Sequence, residues 1–247
     1  MHTRIVILAA GKSTRMNGVS KMFLEVGGKP MVVRVLDAAI ASGVDAKPLA
    51  VVGKNGDGVR AELGGRCDYA VQEEQKGTGH AVQCAETALR GNADAILVLY
   101  GDNCMIGAGT IRRLAEARAK SGAAITMLTT TVPDFDGWRK PFYDFGRLVR
   151  GADGKILRSV EKKDASPQEL EIKELNPSFC CFDAAWLLEN LKKIKPHNAQ
   201  GEYYLTDLVQ IAIEEGAKVE VIPVDAHEVI GVNTQEQLEI VRGLLVG

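Results

Sequence analysis

The sequence predicts an α/β fold with a Rossmann-like, mostly parallel sheet flanked by helices and a smaller lobe of mixed β-structure. The opening run 4–10 is continuously apolar and rich in branched residues, which is typical of a strand buried on both faces of a parallel sheet. From there to Thr131, strand-like runs alternate with helical patterns, and this alternation favours a parallel sheet covered by helices. Beyond Thr131 shorter runs separated by turn residues indicate the smaller lobe.

The first half of the chain is predicted to run β-α-β-α-β-α-β-α-β. Its first helix opens at Pro30, which suits a first helical turn, and Gly43 is a good terminator. The strands are predicted at 4–10, 48–52, 67–71, 95–100 and 123–131, and the later helices at 57–63, 81–89 and 110–120. In open sheets of this kind, ligands bind beyond the carboxyl ends of the strands. Polar loops that leave such ends lie at 11–21, 72–78 and 101–105.

The second half is predicted to begin with a loop and a hairpin. Further elements are a strand within 172–182, a helix over 184–193 and a polar loop at 196–202. Thr206 can cap a helix that ends near Gly216, followed by a strand at 219–224 and a last amphipathic helix at 234–245. The whole chain is expected to be one domain, with a first part at 1–131, a smaller lobe with closing elements at 132–232 and a C-terminal helix at 233–247.

Composition excludes several classes of function. The 247 residues carry a net charge of −2, so no basic excess favours nucleic-acid binding. No apolar run reaches the roughly 18 residues of a membrane span, and no membrane partner is expected. The five cysteines form no C-x-x-C pair, so neither a disulfide framework nor a zinc site is indicated. A reduced, cytoplasmic location is the expectation.

The first polar loop suits a phosphate, although it matches neither common glycine motif. A Walker A loop needs glycine where Val6 stands, and the dinucleotide fingerprint needs glycine where Ser13 stands. Small residues after a buried strand still allow close backbone approach, and Arg15 and Lys21 would suit a triphosphate. An ordinary glycine turn with solvated cations is an equal alternative at this point.

The run Leu8-Ala9-Ala10-Gly11-Lys12-Ser13-Thr14-Arg15-Met16, followed by Lys21 and Gly28-Lys29-Pro30, resembles the signature of the sugar-1-phosphate nucleotidyltransferases. The segments 72–81, 100–102, 145–147, 160–164, 198–207 and 228–233 further resemble the uridylyltransferase domain of the bacterial branch that uses N-acetylglucosamine 1-phosphate. The resemblance covers nearly the whole chain in the family's order, and 198–207 is its most specific part. It implies the glycosyltransferase A-like nucleotidyltransferase fold, with nucleotide binding by the part at 1–131 and sugar binding by the lobe at 132–232.

The resemblance also implies a role for particular residues. Arg15 and Lys21 would bind the phosphates, and Asp102 and Asn233 would hold Mg²⁺, so that Arg15, Lys21 and Asp102 would form the catalytic set. The nucleotide would contact Leu8, Ala9, Ala10, Gly11, Gln72, Gly77, Thr78 and Tyr100. Structural alternatives are a helix cap for Thr78 or Asn233, a turn cap for Asp102 and a core position for Tyr100. His80 is expected to be a helix-face residue.

The sugar site implied by the resemblance contains Gly146, Glu161 and Asn176. At this site the chain departs from the family, which usually has N-T-G where this sequence has Asn176-Pro177-Ser178. Phe145 stands where tyrosine is common, and Ser13 where glycine is usual. The departure at Pro177 lies at the sugar site, so it bears on which sugar is bound and not on the nucleotide.

The activity implied is Mg²⁺-dependent transfer of UMP from UTP to a sugar 1-phosphate, with N-acetylglucosamine 1-phosphate as the first choice. UTP and the sugar phosphate are the expected partners, and the chain is expected to be a monomer or a weak homo-oligomer. Hexapeptide repeats are missing from the sequence, so no acetyltransferase β-helix domain is expected. The alternatives are a same-fold enzyme with another sugar 1-phosphate or another nucleoside triphosphate, and a non-catalytic nucleotide-sugar sensor.

Overall fold

The computed structural model describes residues 1–11 and 20–246 of the chain. The strands within these ranges are β1 (Thr3–Ala9), β2 (Glu25–Val26), β3 (Lys29–Pro30), β4 (Leu49–Gly53), β5 (Asp68–Gln72), β6 (Ala95–Tyr100), β7 (Ile125–Thr131), β8 (Gly146–Arg150), β9 (Ile156–Val160), β10 (Glu174–Asn176), β11 (Cys180–Asp183) and β12 (Val219–Pro223). The helices are α1 (Met31–Ala41), α2 (Asp57–Leu63), α3 (Thr78–Cys84), α4 (Glu86–Leu89), α5 (Ala108–Ser121), α6 (Pro167–Leu170), α7 (Ala184–Asn190), α8 (Asp207–Glu214), α9 (Ala226–Val229) and α10 (Gln235–Val246).

The central sheet has the strand order β5-β4-β1-β6-β11-β7-β10-β8-β9, and β12 pairs with β7. The pairs β5-β4, β4-β1 and β1-β6 are parallel, as is β12-β7, whereas β11 runs antiparallel between β6 and β7. An antiparallel group of β8, β9 and β10 continues the sheet beyond β7. The predicted fold class, a Rossmann-like and mostly parallel sheet with helices on its faces, is confirmed.

The core lies on both faces of the sheet. Along β1, Ile5 and Ile7 pack into one hydrophobic cluster, and Val6 and Leu8 pack into the other. This alternation follows from the two-residue period of a strand, and it explains why the run that forms β1 is apolar without interruption. In the part of the chain that the structure describes, no helix combines the length and the apolar character that a membrane crossing requires.

Some predicted elements are divided in the structure. The single strand expected within 172–182 is two strands, β10 and β11, because Pro177 lacks an N–H group and Ser178 turns the backbone to a φ of 68°. The helix expected over 81–89 begins earlier, at Thr78, and is interrupted at Ala85 between α3 and α4. The short hairpin β2-β3 and the one-turn helices α6 and α9 were missed because such elements carry no periodic pattern.

Candidate active site

A cavity of about 420 Å³ opens at the carboxyl ends of β1, β5 and β6. Most residues predicted to bind the nucleotide line it: Leu8, Ala10, Gly11, Gln72, Gly77, Thr78 and Tyr100, together with Lys21 and Asp102. Ala9 is the exception, since it is buried in the core and can offer a ligand only its backbone. Arg15 lies outside the described residues. We call this space the nucleotide cavity, after the ligand that the sequence predicts for it.

One wall of the nucleotide cavity is built by two distant segments that dock on each other. The N–H of Tyr203 donates to the carbonyl of Lys76 (2.8 Å), and the N–H of Gly79 donates to the carbonyl of Tyr203 (2.8 Å). Gly77 permits this contact, because a Cβ at its position would lie 2.6 Å from the Tyr203 carbonyl oxygen. Its φ of 107° is also rarely adopted by other residues. Two segments that carry the family resemblance, 72–81 and 198–207, therefore meet at the site.

Thr78 does not cap a helix, so that alternative is wrong. Helix α3 has Gly77 as its N-cap, and no side chain caps it. The Thr78 hydroxyl instead accepts a hydrogen bond from the N–H of Leu205 at 3.0 Å. Thr78 therefore helps to fasten the docked segment, which no local pattern could have indicated.

The Gln72 side chain is buried at the edge of the nucleotide cavity. Its Nε2 atom donates to the Gly77 carbonyl at 3.1 Å and lies 3.0 Å from Nδ1 of His80. Burial, and secondarily the positive charge of Lys76, lower the pKa of His80. His80 lies on α3 as expected, but it also contacts Gln72, which is predicted to bind the nucleotide, and this contact was missed.

Lys21, Asp102 and Asn233 meet where the nucleotide cavity borders the next cavity. The Lys21 ammonium donates to a carboxylate oxygen of Asp102 and, at 2.6 Å, to Oδ1 of Asn233. Two oxygens that converge on one ammonium nitrogen can also share a metal cation. Carboxylate and amide oxygens are ligands that Mg²⁺ accepts, with substrate phosphates and waters completing its octahedron. The donor set therefore fits the metal that the resemblance implies.

Backbone and amide hydrogen bonds hold Asp102 and Asn233 close together, although 130 residues separate them. The N–H of Val232 donates to the Asp102 carbonyl at 3.1 Å, and Nδ2 of Asn103 donates to the Val229 carbonyl at 3.0 Å. Asn233 is not a helix cap, so that alternative is wrong: the Thr234 hydroxyl accepts from the first turn of α10. The role of Asn103 was missed.

Glu228 anchors the segment before Asn233 to helix α5. Its carboxylate accepts hydrogen bonds from the N–H of Gly107 and from the hydroxyl of Thr110, both at 2.9 Å. A carboxylate beside the first turn of a helix is also favoured by the helix dipole. The segment that carries Asn233 is thus fixed at both of its ends: Glu228 holds it to α5, and Val232 holds it to the backbone of Asp102.

A smaller cavity of about 180 Å³ adjoins the nucleotide cavity, and we call it the sugar cavity, after the ligand that the sequence predicts for it. It is lined by Tyr100, Asp102, Asn103, Asp144, Phe145, Gly146, Glu161, Asn176, Pro177, Ser178, Gly231 and Asn233. The three residues predicted to bind the sugar are therefore together. Gly146 pairs with Asn176 across β8 and β10, and a Cβ at Gly146 would lie 3.6 Å from Oε1 of Glu161. Tyr100 and Asp102 line both cavities.

The Glu161 carboxylate is held at the floor of the sugar cavity by Thr206, whose hydroxyl donates to Oε1 at 2.8 Å. Thr206 is the N-cap residue of α8, as expected, but its hydroxyl makes no cap hydrogen bond. Burial raises the pKa of Glu161, and the nearby charge of Asp164 adds to this. The pKa of Asp207 rises to about 6 because of burial and the negative charges of Glu161 and Asp164.

Asn176 shapes the turn that divides β10 from β11. Its Oδ1 accepts the N–H of Ser178 at 2.7 Å, and its Nδ2 donates to the Ser159 hydroxyl at 2.9 Å. The hydroxyl of Tyr100 donates to the Ser178 carbonyl at 3.3 Å, so Tyr100 connects the two cavities rather than filling the core alone. Ser178 thus takes the left-handed conformation at the position where the family usually has glycine.

Comparisons with known proteins place the chain among nucleotidyltransferases. Bifunctional protein GlmU of Heliobacterium modesticaldum is 41% identical over 248 residues, which cover 99% of this chain and 52% of that protein. Bifunctional protein GlmU of Geobacter metallireducens is 43% identical over 237 residues, which cover 94% of this chain and 48% of that protein. The chain therefore spans about half the length of these curated relatives.

The fold is shared with a solved structure of CMP:2-keto-3-deoxy-manno-octonic acid synthetase complexed with CTP. The two structures superpose with a TM-score of 0.72 at 18% identity, over 100% of this chain and 99% of that one. The family described as the MobA-like NTP transferase domain matches residues 5–193, which are 189 of the 247 residues. The resemblance drawn from the sequence is confirmed, and the chain belongs to the family of MobA-like NTP transferase domains.

Proposed function

We propose that this chain transfers UMP from UTP to a sugar 1-phosphate, with Mg²⁺ as cofactor, and releases pyrophosphate. The observation that carries the proposal is that the two cavities adjoin each other, because Tyr100 and Asp102 line both. A donor nucleotide in one cavity and an acceptor phosphate in the other would meet beside Asp102. Positioning two reactants in this way removes much of the entropic barrier of their reaction.

In this reaction an oxygen of the sugar phosphate attacks the α-phosphorus of UTP. One P–O bond forms, the bond between the α-phosphorus and its bridging oxygen breaks, and pyrophosphate leaves with the electron pair. The attacking oxygen is already anionic, so no general base is required. Lys21, with Arg15 from the phosphate loop, would offset the repulsion between the two anionic substrates. Asp102 and Asn233 would hold Mg²⁺, whose charge neutralises the phosphates.

The choice of UTP is supported by Gln72 and by the relatives. The same fold accommodates CTP in CMP:2-keto-3-deoxy-manno-octonic acid synthetase, so the fold alone does not decide the pyrimidine. The Gln72 amide nitrogen donates to the Gly77 carbonyl and lies 3.0 Å from Nδ1 of His80, so the amide oxygen remains to accept N3–H of uracil. Backbone N–H groups at Gly77 and Thr78 can donate to a carbonyl of the base.

N-acetylglucosamine 1-phosphate is the acceptor we propose first, since the sequence resemblance implies it and the two curated relatives described above are GlmU proteins. Gly146 leaves room for a sugar ring, and the Glu161 carboxylate can accept its hydroxyl hydrogens. The substitution of Pro177 and Ser178 in the wall of the sugar cavity favours a second candidate, in which the chemistry is the same and another hexose 1-phosphate is used.

The test is pyrophosphate release with UTP and Mg²⁺ across N-acetylglucosamine, glucose and galactose 1-phosphates, with CTP, dTTP and ATP in parallel. Release with UTP and N-acetylglucosamine 1-phosphate supports the whole proposal. Release with UTP and a different sugar retains the chemistry and supports the second candidate. Tight UTP binding with no release from any sugar would contradict the proposal and identify a nucleotide-sugar sensor.

A further inference from the structure

The buried amide of Gln72 is fixed in one orientation by two acceptors. Gln72 is 3% exposed, and its Nε2 lies 3.1 Å from the carbonyl oxygen of Gly77 and 3.0 Å from Nδ1 of His80. A carbonyl oxygen only accepts hydrogen bonds, so the atom that faces Gly77 must be the amide nitrogen. Rotating the amide by 180° would direct its oxygen at the carbonyl oxygen of Gly77, which is also an acceptor. The side chain therefore presents an acceptor, and not a donor, to a base in the nucleotide cavity.

His80 can accept this hydrogen bond only while its Nδ1 carries no proton. The imidazole is half-buried on α3, and burial lowers its pKa, so the neutral ring is favoured at neutral pH. Cys84 packs one turn along the helix, with Sγ 3.9 Å from both ring nitrogens, and the Tyr203 ring lies 6.4 Å away. The charged neighbours are Glu74 and Lys76, which pair with each other.

We propose that His80 is a positioning residue that fixes the Gln72 amide and thereby sets the preference for uracil over cytosine. This inference rests on the proposed uridylyl transfer. Uracil carries a hydrogen on N3, whereas cytosine has an acceptor at N3 and a donor amine at C4. A fixed Gln72 carbonyl oxygen therefore matches uracil and opposes N3 of cytosine. No substrate contact is assigned to His80, which acts through Gln72.

The strength of the effect follows from the hydrogen bond that His80 accepts. Without it, only the Gly77 carbonyl opposes rotation of the amide. One neutral hydrogen bond contributes enough to change an equilibrium by roughly two- to tenfold. His80→Leu should thus weaken UTP binding by about that factor and leave CTP binding unchanged or tighter. His80→Asn can return an acceptor oxygen near the position of Nδ1, so it should remain close to the parent protein.

The experiment measures equilibrium binding of UTP and of CTP, without sugar phosphate, in the parent protein, His80→Leu, His80→Asn and the control Cys84→Ala. Cys84→Ala removes a packing contact of the imidazole but none of the Gln72 hydrogen bonds. We expect the ratio of UTP to CTP affinity to fall only in His80→Leu. In turnover assays the KM for UTP should rise while kcat at saturating UTP stays within about twofold.

Three results would overturn the inference in distinguishable ways. If the parent protein prefers UTP and the ratio is unchanged in His80→Leu, the role of His80 is wrong and the uridylyl transfer stands. If the parent protein binds UTP and CTP equally, the base preference in the proposed function is itself wrong, and the role of His80 falls with it. An equal fall in Cys84→Ala would show that loosening of α3, and not loss of the acceptor, causes the change.

Discussion

Replacing Asp102 by asparagine tests the centre of the proposed site, and its effect on folding and on turnover can be separated. The side chains of Lys21 and Asp102 are 13% and 16% exposed, so their ion pair is largely buried. The amide of asparagine keeps an oxygen that can accept a hydrogen bond from Lys21. The Lys21 ammonium also keeps its hydrogen bond to Oδ1 of Asn233, at 2.6 Å. The expected loss of stability is therefore about 1–2 kcal/mol, below the 3–5 kcal/mol that accompanies an abandoned buried charge.

Turnover should fall far more than stability. Removing one oriented group that stabilises a charged transition state typically costs about 100- to 1,000-fold in kcat. The assay is pyrophosphate release with saturating UTP and sugar phosphate over a series of Mg²⁺ concentrations, with a thermal melt of each variant. The melting temperature should drop by about 2–8 °C. Asp153→Asn makes the same charge change in the exposed turn of the β8-β9 hairpin and serves as the control.

An Asp102→Asn protein that keeps more than a third of the parent turnover at saturating Mg²⁺ would refute the role of the carboxylate. So would an equal loss in Asp153→Asn, because the effect would then reflect net charge and not position. A loss of stability well above 2 kcal/mol in Asp102→Asn would contradict the expected stability change alone. Activity measured at a temperature where the variant is folded would still decide the role of the carboxylate.

Three further changes test the surroundings of the site. Asp207 has a pKa raised to about 6 from the ordinary 3.8, so its ionisation destabilises the fold as pH rises through 6. In urea unfolding, the free energy of unfolding of Asp207→Asn should exceed that of the parent by about 1–2 kcal/mol at pH 8 and by little at pH 4. This is less than the whole pKa shift corresponds to, because the side chain is partly exposed. Gly77→Ala directs a Cβ at the Tyr203 carbonyl, so the free energy of unfolding should fall by about 2–3 kcal/mol and the Kd for UTP should rise. Unchanged UTP binding would contradict the argument that the contact between Gly77 and Tyr203 shapes the nucleotide cavity. Ser178→Gly removes the strain of a side chain on a left-handed backbone, so the free energy of unfolding should rise by about 0.5–1 kcal/mol, measured from the denaturation midpoint. A fall would show that the serine side chain stabilises the turn.

Periodic patterns made much of the fold predictable from the sequence. The strand predicted at 4–10 is Thr3–Ala9, and the helix predicted at 57–63 is Asp57–Leu63. Both have a continuous or periodic apolar pattern that burial imposes directly. The division between β10 and β11 was missed because it depends on Ser178 in a left-handed conformation, which serine seldom adopts and local sequence does not reveal.

Site residues were predictable by type and by family pattern, but their partners were not. Gln72, Gly77 and Thr78 line the nucleotide cavity as expected. The hydroxyls of Thr78 and Thr206 looked like helix caps, since threonine commonly has that role, yet each bonds to a residue far away in the chain. Such choices are decided by tertiary contacts, and a pattern within one segment carries no information on them.

The geometry of the site depends on residues beyond the segment that the family description matches. That match ends at residue 193, whereas Tyr203 fastens the wall of the nucleotide cavity and Asn233 converges with Asp102 on Lys21. The convergence is enforced by the hydrogen bond from Val232 to the Asp102 carbonyl. A hydrogen bond of this kind orients the side-chain oxygens of Asp102 and Asn233 before any substrate arrives, so less ordering remains to be done on binding. The last fifth of the chain therefore belongs to the site as much as the loops that follow β1 and β6.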